Sequence, residues 1–342
     1  MSKPEKEISR IALGVGLALG GIALAAGTLY TEVMTTLVAR RRTVTTDTLM
    51  EIMTNRPILP PDPAIQAKAD ALLNTPTELV EIRSREGYVL RAHWYPADDA
   101  KRTVILVHGW HGSWNMDFSL SAPYLHDNQC SLLLIEQRCH GSRGGDLISY
   151  GINERYDVLA WLEWVEKNRP GLPVYLCGLS MGASTVLMTT GLPIAGRVCG
   201  VIADCGYSDP KEIVRLTLKK NLGKMTGPTV AAVNAKCKRR GKFSLKDYTP
   251  IEALASNTEV PCLFIHGDSD ALVPCRMSLE NYYACRAPKE LLIVSGAAHG
   301  MSFAVDPVRY QQKLTDFFSA YDPPPPPPKT RGRRKAGKDG TP

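Results

Sequence analysis

Gly178-Leu-Ser-Met-Gly182 holds one serine between two glycines, after the apolar run Val174–Cys177 and before Met181–Thr190, a stretch suited to a helix. The order reads as strand, tight turn, helix. So sharp a reversal needs small residues at both flanks, and it lifts Ser180 clear of the backbone at the start of the helix. Serines between glycines are common in ordinary turns, so the pattern carries weight only if partners exist elsewhere. A hydroxyl is a weak nucleophile until a base, oriented by a third group, takes its proton. Of the seven histidines, His299 has the setting for that base. It lies in Gly296-Ala-Ala-His-Gly300, after the apolar run Glu290–Val294 and before a helix beginning near Pro307. The plain alternative is a histidine that caps a turn.

The orienting acid should leave a strand between serine and histidine. Phe264-Ile-His-Gly-Asp-Ser-Asp-Ala-Leu-Val-Pro274 supplies Asp268 and Asp270. Asp270 is favoured, because the apolar residues after it anchor the loop and aim the carboxylate inward; Asp268 suits a turn. Asp204, ending the preceding strand, is a further candidate. An oxyanion needs preorganised N–H donors. Met181 N–H opens the helix, and in Val104-Ile-Leu-Val-His-Gly-Trp-His-Gly112 the Gly109 turn presents Trp110 N–H. Trp110, His111 and Trp114 are expected to line a substrate pocket, with surface aromatics of a plain loop as the alternative. His108 reads as a structural hydrogen-bonder beneath that loop.

Chemistry of this kind needs a rigid frame. Glu78–Arg83 and Tyr88–Tyr95 read as a hairpin across Arg85-Glu86-Gly87. Thr103–Val107, Ser131–Glu136, Val174–Cys177, Val198–Ala203, Pro261–Ile265 and Glu290–Val294 read as buried strands. Helical patterns separate them, as in Glu154–Asn168, where Val158, Leu159, Leu162 and Val165 share a face. The alternation predicts an α/β fold with a mostly parallel central sheet and helices on both faces. Sites in such sheets form where loops leave the carboxyl ends of the strands.

The net charge of +7 suggests nucleic acid until it is located. Lys329–Pro342 carries six basic residues against Asp339, so the other 328 residues hold +2, and no nucleic-acid partner is expected. No C-x-x-C, G-x-G-x-x-G after the first strand, or G-x-x-x-x-G-K-[ST] occurs, so neither metal nor cofactor is expected. Cys139, Cys177 and Cys262 lie in or beside apolar runs as small buried thiols. Cys199 with Cys205, or Cys275 with Cys285, could pair in an oxidising compartment.

Ile11–Tyr30 is twenty residues without a charge, as a helix about 30 Å long, enough to span a bilayer core. An uncleaved membrane anchor within 1–42 is favoured by length over a signal peptide cut near Ala23-Leu24-Ala25. A buried core helix is disfavoured, because the segment lies far from any other domain-like pattern. Three basic residues flank each side, those on the N-terminal side closer, which favours an inside N-terminus. Residues 43–77 read as a linker whose Pro57, Pro60, Pro61 and Pro63 break any regular element. The globular body spans 78–320, and 321–342 is a Pro-rich basic tail. Between Asp209 and Tyr248 lies an insertion with many basic residues and a weak apolar face at Ile213, Leu216 and Leu218. It is read as a small helical cap, with a solvated helical face as the alternative.

Together the His-Gly turn, G-L-S-M-G, H-G-x-x-D-x-x-V-P and G-x-x-H-G resemble the α/β-hydrolase superfamily over about Glu78 to Ala320. Within it the likeness is to membrane-anchored bacterial serine hydrolases of serine-aminopeptidase-like or prolyl-oligopeptidase-like type. The resemblance implies Ser180 as nucleophile, His299 as base, Asp270 as acid, Trp110 and Met181 as oxyanion donors, and a domain held outside the cytoplasm. Glu136-Gln-Arg-Cys-His-Gly-Ser142 is similar to the family's D-x-R-G-H-G-x-S segment, departing at Glu136 and Cys139. The expected activity is hydrolysis of an ester or amide in a small molecule or peptide, carboxylic esters ahead of peptides. A non-catalytic binding protein on the same fold is the alternative, and the sequence leaves the oligomeric state open.

Overall fold

Strand residues alternate between two cores, and that alternation explains the layers. Ile105 and Val107 pack with Leu176, Val201 and Phe264 on one face, while Val104 and Leu106 pack with Tyr175, Ile202 and Leu263 on the other. Each large side chain buried this way contributes about 1.5–3 kcal/mol, so the sheet must be covered on both sides. The protein is described by a computed structural model covering residues 27–36, 63–140 and 144–324.

Eight strands form one sheet in the order β1-β2-β4-β3-β5-β6-β7-β8. They are β1 Glu78–Arg83, β2 Val89–Tyr95, β3 Arg102–Val107, β4 Cys130–Glu136, β5 Val174–Leu179, β6 Gly200–Asp204, β7 Cys262–Gly267 and β8 Lys289–Val294. The β1–β2 and β2–β4 pairs are antiparallel; every pair from β4 through β8 is parallel. Helices α1 (residues 27–36), α2 (Pro63–Leu73), α3 (Ala122–Asp127), α4 (Glu154–Asn168) and α5 (Met181–Thr189) precede β6. After it come α6 (Pro210–Leu222), α7 (Thr226–Lys236), α8 (Pro250–Ser256), α9 (Arg276–Ala284), α10 (Ser302–Val305) and α11 (Pro307–Tyr321). Val158, Trp161 and Leu162 of α4 and Val186 and Leu187 of α5 cover one face; Tyr310, Leu314 and Phe317 of α11 cover the other.

One expectation changes. The linker is not free of regular structure, because Pro63 opens α2 at the first helical position, where its missing N–H costs nothing. All nine cysteines are free, so neither of the two possible pairings forms. Most of the expected membrane span, and the basic run 40–42, lies outside the described residues. Among the described residues no helix is long and apolar enough to cross a membrane. The end of that span, in α1, packs against the body: Tyr30 Oη lies 2.7 Å from Thr229 Oγ1, and Glu32 pairs with Lys236 and Arg240.

Residues 210–241 leave the sheet after β6 as α6, a single 3₁₀ turn, α7 and a π-helical end. Ile213, Val214 and Leu218 of α6 pack with Val230 and Val233 of α7 in a third core. That core includes Met181 and Val273, so the insertion covers the carboxyl end of the sheet.

Candidate active site

β5 runs through Gly178 to Leu179 and α5 starts at Met181, leaving Ser180 alone between them. Its backbone is left-handed, φ 55° and ψ −116°, a strain worth about 1–3 kcal/mol in a non-glycine residue. Ser180 N–H donates to Asp204 O at 2.8 Å, and Ser180 O accepts from Ser184 N–H at 3.1 Å, which hold it there. A Cβ on Gly182 would stand 1.8 Å from Val107 O, and one on Gly178 2.3 Å from the Gly182 carbonyl. The two glycines are therefore demanded by packing between the turn and its neighbours.

Ser180 Oγ lies 2.8 Å from His299 Nε2, and His299 Nδ1 lies 2.6 Å from Asp270 Oδ2. Because Nδ1 faces a carboxylate it carries the proton, leaving Nε2 to accept from the serine. Asp270 is buried, yet His299 and His266 hold its carboxyl well below the usual range. Burial works against a charged His299, but the Asp270 carboxylate outweighs it and raises the imidazole well above its ordinary value. Asp268 belongs to the turn: its side chain accepts from Gly296 N–H at 2.7 Å and Ser295 Oγ–H at 3.0 Å, tying the acid loop to the histidine loop. Asp204 is buried, pushed up to about 6 by that burial, and accepts from Ser302 rather than from His299.

Two neighbours were not singled out from the sequence as site residues. His266 Nε2 lies 3.1 Å from Asp270 Oδ2 and 2.9 Å from Val273 O; between two acceptors it must carry the proton. Its place in the same H-G-x-x-D motif was the available signal. Cys205, at φ 49°, brings its sulfur to 4.0 Å from His299 Nε2, and no spacing rule points to it. Burial pushes that thiol up to about 11. Cys205, Asp270 and His299 have ligating atoms within 4.8 Å of one another, but Asp270 and His299 spend theirs on each other and on Ser180.

The loop after β3 lies against the nucleophile: a Cβ on Gly109 would be 3.2 Å from Ser180 Cβ. Gly109 N–H is taken by Asp117 Oδ2 at 2.6 Å, and Trp110 follows it in the same loop. His108 is fully buried, accepts from Gln137 N–H at 3.1 Å, and is lowered to about 4 by desolvation, a structural role as expected. His111 is buried against the Trp110 ring and donates its backbone N–H to His140 Nε2 at 3.0 Å. Trp114 stacks on His93 at 3.7 Å and lines a hollow with Leu72, Tyr95 and Phe118. Neither Ser180 nor His299 is among these contacts.

Residues 104–312 match the model of the alpha/beta hydrolase family. The chain belongs to that family. YqkD of Bacillus subtilis is 28% identical over 241 residues, covering 69% of this chain and 77% of that one. YfhR of Escherichia coli K12 is 23% identical over 256 residues, covering 72% and 82%. The esterase Pf2001 of Pyrococcus furiosus superposes with a TM-score of 0.60 at 20% identity, over 74% of this chain and 94% of that one. In this hydrolase-family chain the departure at Cys139 has a visible consequence. Its backbone is left-handed, φ 61°, the conformation that favours the glycine of the family segment. Arg138 beside it makes a two-pronged pair with Asp157 at 2.6 Å, and His140 supports the Trp110–His111 turn from the same segment.

Proposed function

We propose that the protein is a serine hydrolase that cleaves carboxylic esters through an acyl-enzyme. The observation that carries this reading is the Ser180–His299–Asp270 relay at 2.8 and 2.6 Å. His299 takes the Ser180 proton as Oγ attacks the substrate carbonyl, then gives it to the leaving alcohol. Water enters the same position, His299 deprotonates it, and the acid departs as Ser180 recovers its proton. Asp270 holds the imidazole in its Nδ1–H tautomer and stabilises the imidazolium. Met181 N–H, which has no partner within its own helix turn, and Trp110 N–H receive the oxyanion. An intact relay argues against a purely binding role. The apolar segment 11–30 is read as a membrane anchor with the domain outside the cytoplasm, tested by protease accessibility in intact cells.

Fluorophosphonate labelling tests the chemistry. The folded protein should be labelled at Ser180, and Ser180→Ala should lose both label and about 10⁴–10⁶-fold in kcat. Labelling that survives in Ser180→Ala would falsify the assignment. A panel of acyl esters and aminoacyl amides then reads the substrate: faster turnover of the amides would replace the esterase reading with a peptidase.

A further inference from the structure

The cap concentrates charge in a way the chain's totals hide. From Ile213 to Lys246 there are ten Lys and Arg residues and no Asp or Glu. Against +2 for everything before the basic tail, the cap is a cationic patch on an otherwise acidic body. Lys219, Lys224, Lys238, Arg239 and Lys242 are exposed, and among the described residues none of these five forms an ion pair. Large apolar side chains stand exposed beside them: Met225 is 55% exposed, and on α1 Leu29 is 66% and Val33 45% exposed.

The placement of α1 relates these features to one another. Tyr30 meets Thr229 of α7, and Glu32 meets Lys236 at the end of α7 and Arg240 in the π-helical turn after it, so α1 is held against the cap. α1 opens within the last four residues of the uncharged Ile11–Tyr30 stretch. An apolar phase that accepts that stretch would therefore adjoin α1 and the cap. Nucleic acid would satisfy the lysines but leave Met225, Leu29 and Val33 in water; a bilayer interface takes both kinds of group.

We propose that the cap and α1 form a docking surface for an anionic lipid bilayer, with Lys224, Lys238 and Arg239 meeting headgroup phosphates and Met225 and Leu29 entering the interface. This reading is independent of the ester chemistry. The test uses the full chain with the tail bases Lys329, Arg331, Arg333, Arg334, Lys335 and Lys338 replaced by glutamine. Its binding to phosphatidylcholine vesicles is compared with binding to vesicles that also contain phosphatidylglycerol. Any contribution of the apolar stretch is common to both, so the readout is the increment due to anionic lipid. Lys224→Glu/Lys238→Glu/Arg239→Glu should lower that increment about a hundredfold, as should raised salt in the parent. Circular dichroism checks its fold, and Lys219→Gln/Lys224→Gln/Lys242→Gln serves if the reversals disturb it. Met225→Trp should add a blue-shifted emission on phosphatidylglycerol vesicles. Equal binding to both vesicle types, an increment unchanged in both charge variants, RNA binding without a lipid increment, or no emission shift would each overturn the proposal.

Discussion

Asp270 accepts four hydrogen bonds, two on each oxygen, which is the full capacity of a carboxylate. Leu272 N–H and Val273 N–H reach Oδ1 at 2.8 and 2.9 Å, and His266 and His299 reach Oδ2 at 3.1 and 2.6 Å. Catalysis needs neutral His299, and Asp270 raises that imidazole well above its ordinary value. Activity should therefore fall as pH drops through the raised value, and kcat/KM should show an acidic limb above pH ~6.5. Asp270→Asn should move the limb down while lowering the maximum about 10⁴-fold. His266 acts on the same balance from behind. Without its donor the carboxylate becomes more basic and holds the imidazolium more firmly, so His266→Ala should move the limb to higher pH. His266→Gln, which restores an N–H, should bring it back part of the way. A loss in His266→Ala equal at every pH would mean that His266 only packs.

At the scale of elements, the elbow works because β5, α5 and the end of β3 converge within van der Waals contact. Gly182→Ala forces a Cβ to within 1.8 Å of Val107 O, a backbone atom that cannot swing away. The expected cost exceeds about 4 kcal/mol, read as a shift in the urea midpoint, and β3 must move before Ser180 can be rebuilt. This part was legible in the sequence: glycine spacing, apolar runs and the Ser, Asp, His order placed three side chains that the fold brings together. Elements whose cause lies outside their own residues were harder to read. α2 starts at Pro63, and a proline that opens a helix looks the same in sequence as one that ends it. α1 docks through Tyr30 and Glu32, a contact about 200 residues apart in sequence that no periodicity reports. Glu32 is half-exposed but answers Lys236, whose side chain is 4% exposed. Glu32→Gln should thus cost about 1–2 kcal/mol after screening by solvent, measured by denaturant unfolding.

Across the whole molecule, the chemistry and the clasp that closes α11 lie at opposite ends of the strands. Thr103 pairs with Val174, so Arg102 stands at the amino end of the sheet, about 22–24 Å along the strands from Ser180. There Asp322 takes Arg102 Nη2 at 2.5 Å and Tyr175 Oη–H at 2.9 Å, while the guanidinium lies 4.4 Å from the Phe318 ring centroid. The fold thus extends past the Ala320 limit read from the sequence, because the residue that closes α11 against β3 and β5 comes two positions later. Asp322→Ala leaves a guanidinium that is 10% exposed without its carboxylate, at an expected cost of about 2–4 kcal/mol. Much of that cost comes from stranding the charge rather than from the worth of the pair. The double change Arg102→Met/Asp322→Leu removes both charges and should recover about half of the loss. Hydrolysis of a soluble ester should be unchanged in either variant at a temperature where both are folded. A fall in kcat there, with stability intact, would mean that the two ends of the sheet are coupled and that the clasp helps to set the position of Ser180.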